Sequence, residues 1–203
     1  LYQSGYLTID TYDARLGTYT LHFPNLEVRS GMISGLMPLI LKRSAIDSNA
    51  LVRNMTDVLF KGKLSDALLA LRSYIAKIPY DIITKQDWEE KEKRESFYKL
   101  LLYMVFSVLN SKVDTEVKSN MGRADVVIKT SSDIFVLELK VDDTVENALS
   151  QIDDKGYAIT YEADGRKVTK CGVVISSEKR NITQWRMVDE NGVVIDYSCE
   201  KES

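Results

Sequence analysis

The feature that most constrains this chain is the segment Gly122–Lys140, GRADVVIKTSSDIFVLELK. It reads as two apolar strands, Ala124–Lys129 and Ile134–Lys140, joined by the polar turn Thr130-Ser131-Ser132-Asp133. Strands this rich in Val, Ile, Phe and Leu normally exclude charge, yet each carries an acid: Asp125 in the first and Glu138 in the second. Lys140 follows Glu138 by two residues, so the two-residue period of a strand points both side chains to one face. Two carboxylates and a lysine at the edge of an apolar hairpin can hold a divalent metal and activate a water. An E-x-K triplet alone is common by chance, with an exposed edge strand of alternating charge as the plain alternative. The flanking sequence has to decide between them.

The chain has 203 residues, enough for one sizeable core or two small units. Apolar residues make up 44% and charged residues 28%, the balance of an ordinary soluble globular protein. No apolar run approaches the roughly 18 residues of a membrane span, and no signal peptide is visible, so a cytoplasmic protein with no membrane partner is expected. The start at Leu1 without Met suggests a cut into a longer protein. Cys171 and Cys199 form no CxxC pair, which suits a reducing compartment and argues against structural zinc. The single histidine, His22, lies far upstream of the acids, leaving no local His cluster for zinc or a Ser-His-Asp triad. The net charge of −3 does not advertise broad nucleic-acid binding.

Taken in order, Tyr6–Tyr12 and Thr18–Phe23 alternate like the strands of a hairpin. Pro24-Asn25 starts a helix from Leu26 to about Leu41, weakened by Gly31 and Gly35. Helices Asn49–Phe60 and Leu64–Ala76 follow, with Ser65 as a candidate N-cap of the latter. Asp10, Asp13 and His22 read as turn and strand-edge residues. Residues 1–80 are therefore expected to pack as a small separate unit, with 80–90 as a linker into residues 81–203. A long helix, Asp87–Asn110, carries the apolar stripe Phe97, Leu100, Leu101, Met104, Val105 and Val108. Glu95 stands apart from the exposed acids Glu89, Glu90 and Glu92, because its helical neighbours Tyr98 and Leu102 turn it toward a partly buried face.

After a short strand, Val113–Lys118, and the motif hairpin, Asp142-Asp143-Thr144 signals the start of a helix Val145–Ala158. On it Ala148, Gln151 and Lys155 form one stripe. Val168–Ile175 is strongly strand-like; Ile182–Val188 and Val193–Tyr197 are weaker strands. From Asp87 onward the coarse order is α-β-β-β-α-β. Between Tyr161 and Met187 six Lys and Arg face three acids, a local +3 that suggests a track for a phosphate backbone, although a solvated rim reads as well.

The acid pair with E-x-K, in this element order, resembles the PD-(D/E)xK nuclease superfamily. The segments E-S-F-Y (95–98), G-R-A-D (122–125), E-L-K (138–140) and A-L-S-Q-I-x-x-K-G-Y-A (148–158) resemble its uncharacterised bacterial family that follows an AAA-ATPase-like domain. In that family the ATPase-like region ends with segments similar to L-Y-Q-S-G-Y-L-T-I (1–9) and F-P-N-x-E-V-R (23–29). The resemblance implies an α/β (α+β) fold with a restriction-endonuclease-like core αβββαβ, preceded by a small hairpin and helical unit. It implies that residues 1–80 are the C-terminal tail of the ATPase-like region and residues 81–203 the nuclease-like domain. It implies Glu95, Asp125, Glu138 and Lys140 as the active-site set, with Gln151 and Tyr157 in support.

The chemistry then expected is phosphodiester hydrolysis with Mg²⁺ or Mn²⁺ held through oxygen by Asp125 and Glu138, and with Glu95 at a second metal or a metal water. The Leu139 carbonyl is a further candidate ligand. Lys140 would orient the attacking water or stabilise developing charge, and Gln151 and Lys155 would contact the phosphate backbone. The nucleic acid is expected to be DNA rather than RNA, by family analogy. The alternative is a catalytically silent nuclease fold that binds nucleic acid or a protein partner and regulates the ATPase.

Overall fold

A computed structural model describes residues 1–82, 89–109, 125–199 and the backbone of 114–117. The described residues form a hairpin, β1 (Thr8–Asp13) and β2 (Thr18–His22), and then helices α1 (Leu26–Ile40), α2 (Ala45–Leu59) and α3 (Leu64–Ile75). A long helix α4 (Lys91–Leu109) leads into β3 (Asp114–Val117), β4 (Val126–Lys129) and β5 (Asp133–Val141). Helix α5 (Val145–Asp154) precedes β6 (Lys167–Ser176), β7 (Asn181–Val188) and β8 (Val194–Cys199). The class is mixed α+β. Residues 118–124, which lead into the motif hairpin, the first residues of the long helix and most of the 80–90 segment lie outside the described residues.

Strands β3 to β8 form one six-stranded sheet in sequence order. Every neighbouring pair is antiparallel except β5 and β6, which are parallel and joined through α5. A parallel pair needs such a crossover, because no tight turn can bring the chain back to the starting end. The inner strands are apolar on both faces because both faces are covered. Phe135 and Leu137 of β5 pack into a core with α1–α4, whereas Ile134 and Val136 face Ile152 of α5 and Tyr157 beyond it. Gly172 on β6 permits the close seat of α5: a Cβ there would lie 2.8 Å from the Val145 carbonyl oxygen and 3.0 Å from Ala148 Cβ. Two ion pairs tie α5 to the sheet, Lys170 Nζ to Asp153 Oδ1 at 2.8 Å and Arg186 Nη1 to Glu146 Oε1 at 2.6 Å.

The helix starts are local side-chain effects. Asn25, Ser44 and Thr144 accept from the backbone N–H groups of Val28, Asp47 and Asn147 and so cap α1, α2 and α5. Ser65 does not cap α3. The N-cap is Lys63, with no side-chain bond, and the Ser65 hydroxyl instead donates to Asp196 on β8. Helix α1 runs unbroken through both glycines, burying Ile33 and Met37 but leaving Leu26 and Leu36 exposed, because it meets its neighbours along a narrow stripe.

The packing does not divide at residue 80. Ile33, Met55 and Leu71 share one core with Leu101, Leu137 and Trp185. Across α1 and α4, Arg29 Nη2 donates to Tyr103 Oη (2.9 Å) and Ser30 Oγ donates to the Ser107 carbonyl (3.1 Å). The expected separate unit is corrected to this extent: α1–α3 cover the face of α4 that would otherwise be open. The hairpin alone stands off, with β2 exposed throughout and Tyr12 and Tyr19 in ring contact at 4.7 Å.

Candidate functional site

Antiparallel register sets the two acids face to face. Val126 pairs with Leu137, so the next step of the ladder puts Asp125 opposite Glu138. Alternation along β5 turns Glu138 and Lys140 to the face covered by α5. Asp125 is fixed by its own strand pair: its Oδ2 accepts from the Leu139 N–H at 3.0 Å. Gln151 reaches down from α5 and bridges the motif, its Nε2 donating to Glu138 Oε1 at 2.5 Å and its Oε1 accepting from Lys140 Nζ. Lys140 Nζ lies 3.5 Å from Glu138 Oε1. Sequence places Asp125, Glu138, Lys140 and Gln151 up to 26 positions apart; the hairpin and the crossover helix bring them together.

The electrostatics are those of acids held in a poorly solvated place. Glu138 is only 3% exposed. Burial, and then the negative charge of Asp125, push its carboxyl up to about 7 against the opposing pull of Lys140. Burial also raises Asp125, and the Leu139 N–H, Lys99 and Lys140 oppose the rise. Glu138 Oε2 is buried and has no hydrogen-bond partner among the described residues. A buried, unsatisfied carboxylate oxygen beside a second carboxylate is the environment that a hard cation relieves. The pair therefore fits Mg²⁺ or Mn²⁺, which are commonly held by one or two carboxylates and completed by water and phosphate oxygens.

The other expected residues divide. Glu95 is half-buried near the start of α4, and no group of three His, Cys, Asp or Glu that could hold a metal occurs among the described residues. It thus does not complete a three-carboxylate cluster with Asp125 and Glu138; α4 packs into the core on the opposite face of the sheet from Glu138. Lys155 is exposed at the C-cap of α5, one turn past Gln151. Tyr157 is buried among Val127, Ile134, Val136, Ile152 and Val168, so its place is in the packing beneath α5. The basic run 161–187 is not one free patch: Arg166, Lys170 and Arg186 are paired with Asp164, Asp153 and Glu146.

Two cations missing from the sequence reading come from α4. Lys99 is close enough to lower the Asp125 carboxyl, and Arg94 Nη2 lies 3.6 Å from Asp142 Oδ2, just past the end of β5. Their signal was present in the helix itself, since Lys99 stands four residues after Glu95 and shares its face.

Among the described residues no helix is long and apolar enough to cross a membrane. The chain is 30% identical over 199 residues to the "Uncharacterized protein in vnfD 5'region" of Azotobacter chroococcum mcd 1; the match takes in 90% of this chain. The chain spans only about a third of that relative, 35% of its length. No solved structure matches it. Residues 93–185, the stretch that holds the acid pair, the lysine and the bridging glutamine, match the family model of the PD-(D/E)XK nuclease superfamily.

Proposed function

We propose that this chain is a divalent-metal-dependent phosphodiesterase that hydrolyses nucleic acid, DNA in preference to RNA. The observation that carries the reading is the facing pair Asp125 and Glu138 with Lys140 and Gln151 locked beside it. The family match over 93–185 supports the reaction class. Asp125 and Glu138 would hold the ion, and Mg²⁺ or Mn²⁺, when bound, supplies charge neutralisation and an acidified water. Lys140 presents its ammonium to the scissile phosphate and to the charge that develops there. Gln151 fixes the direction of that ammonium and the rotamer of Glu138. The apolar surroundings keep bulk water from screening either contact.

The relative's greater length and the likeness of residues 1–9 and 23–29 to the end of an ATPase-like region support a further step. Residues 1–80 are proposed as the C-terminal tail of an upstream AAA-ATPase-like region, and 81–203 as the nuclease-like part. Their shared core would make the tail a rigid mount for the nuclease site. Lys155, exposed one turn past Gln151, is assigned to the phosphate backbone.

Melting curves and cleavage assays test this. At a hundredfold excess over its dissociation constant, a cation that binds only the folded state stabilises by about 2.7 kcal/mol. Mn²⁺ or Mg²⁺ is expected to raise the Tm, and Asp125→Ala or Glu138→Ala to abolish the rise. Lys140→Ala keeps the rise and loses cleavage, since an ammonium is no ligand. A wild-type chain with no metal-dependent shift and no cleavage of DNA or RNA points instead to the silent regulatory module.

A further inference from the structure

The β1–β2 ribbon has two unlike faces. Along β2, Thr18, Thr20 and His22 alternate with Tyr19 and Leu21. The register sets Tyr12 opposite Tyr19 and Ile9 opposite Leu21. A bulge between Ile9 and Thr11 lets Ile9 and Tyr12, three residues apart, stay on one face. Ile9, Tyr12, Tyr19 and Leu21 thus form an apolar face, with Thr8, Thr11, Thr20 and His22 on the other. The four apolar residues are 40%, 54%, 58% and 41% exposed, and none of them belongs to either core cluster of the described residues.

A two-stranded ribbon is marginal in water unless its apolar face packs on something. With each aromatic ring able to bury ~150–250 Å², the four residues leave on the order of 400 Å² to be covered. Patches of that size are where proteins commonly meet a partner. The ribbon carries one cation, Arg15 at its tip, against Asp10 and Asp13. It has no cluster of cations to hold the phosphates of a nucleic acid or an anionic membrane. Its partner is therefore an apolar protein surface.

Area then decides what kind of protein surface. A stable complex of free molecules, a second copy of this chain included, buries ~800 Å² on each side, about twice what the ribbon offers. A tethered partner needs far less, since the covalent join supplies an effective concentration in the millimolar range. The longer relative has chain enough for one, because this chain spans 35% of it. Segments 1–9 and 23–29, which resemble the end of an ATPase-like region, lead into and out of the ribbon.

We propose that the face of Ile9, Tyr12, Tyr19 and Leu21 is the seat of the polypeptide that precedes Leu1 in the longer protein, and that the ribbon is the joint between that region and the fold bearing the acid pair. This rests on the upstream-region part of the reading above and gives it a contact surface. Residues 23–25 join the ribbon to α1, Asn25 caps α1, and Ile33 and Met37 of α1 are buried in the core shared with α4. A region seated on the ribbon is held through α1 to that core.

The test compares the full-length product of the gene with the 203-residue chain by hydroxyl-radical footprinting. Tyr12 and Tyr19 should oxidise readily in the 203-residue chain, and that oxidation should be largely lost in the full-length protein. In the full-length protein, Tyr12→p-benzoylphenylalanine should photo-link within one chain to a peptide preceding Leu1, at a yield independent of protein concentration. Adding Leu21→Asp, at an exposed position, should abolish the link and keep the Mn²⁺-dependent Tm rise, which certifies the fold. Equal oxidation in both proteins, no link, or a link into residues 26–203 overturns the seat. A link between two chains whose yield rises with concentration overturns it in favour of a second copy. A gene that encodes nothing before Leu1 sinks the upstream-region reading together with the seat, whereas an upstream region that leaves both tyrosines open sinks the seat alone. The phosphodiesterase reading stands or falls separately, on the metal shift and cleavage.

Discussion

Glu138 sits where a strand of Ile, Phe, Val and Leu would otherwise continue, and its folded-state proton affinity records the cost. Its carboxyl is raised from the ordinary 4.5 to about 7, first by burial and then by Asp125. The folded state therefore holds a proton that the unfolded chain gives up. In metal-free protein this contribution to stability is full below pH ~4.5 and is lost as the pH rises through ~7. The expected outcome is a Tm, in chelator, that falls between pH 5 and 7.5, a much flatter profile for Glu138→Gln, and recovery of the wild-type Tm at pH 7.5 on adding Mn²⁺. Differential scanning calorimetry across that range checks the sign. Gln151 gives a second test at this scale. Gln151→Ala removes the donor to Glu138 and the acceptor of Lys140 together. Turnover should drop by about 10- to 100-fold, as when supporting partners of a metal site are removed, with the metal-dependent Tm rise largely kept.

At the scale of the element, α5 is the part that converts a charged hairpin into a site. Its cap at Thr144, its ion pairs through Glu146 and Asp153, and its seat over Gly172 fix where Gln151 lands. Gly172 is the most sensitive of these. A methyl group there meets backbone, the Val145 carbonyl at 2.8 Å, which cannot swing aside as a flexible side chain could. Gly172→Ala should destabilise by about 1–3 kcal/mol, the usual cost of overpacking, and should lower turnover more than a surface substitution of equal ΔTm. Urea melts paired with cleavage rates separate the two effects. The ion pairs matter less for stability, since Asp153 and Glu146 are both more than half exposed and solvent screens them.

For the whole molecule, the shared core makes α1–α3 part of the fold that carries the site. Leu101, Val105 and Leu109 of α4 are fully buried, in a core that Ile33, Met37, Leu51 and Met55 help to build. A fragment starting at residue 89 would expose that surface. It should express poorly or bind a hydrophobic dye, with a lost near-UV circular dichroism signal, while the 203-residue chain melts in one cooperative transition. A fragment that folds with the full chain's Mn²⁺ response would show that the helices are dispensable.

The hairpin, the acid pair and E-x-K were legible in the sequence because each depends on neighbours within a few residues: strand alternation, turn composition and the oddity of charge in an apolar run. Helix starts at Asn25 and Thr144 were legible for the same reason. The sequence could not divide the supporting residues, because Gln151, Lys155 and Tyr157 share one helix and its exit. Only the seat of α5 on β5 and β6 sends Gln151 to the acids, Lys155 to solvent and Tyr157 into the core. Nor could it tell that α1–α3 and the sheet share a core, since an amphipathic helix shows that it buries a face and not against what. Half of the six cations behind the +3 of residues 161–187, Arg166, Lys170 and Arg186, are taken up in ion pairs for a like reason: net charge adds along the chain, whereas charges are paired across space, and that pairing belongs to the tertiary structure alone.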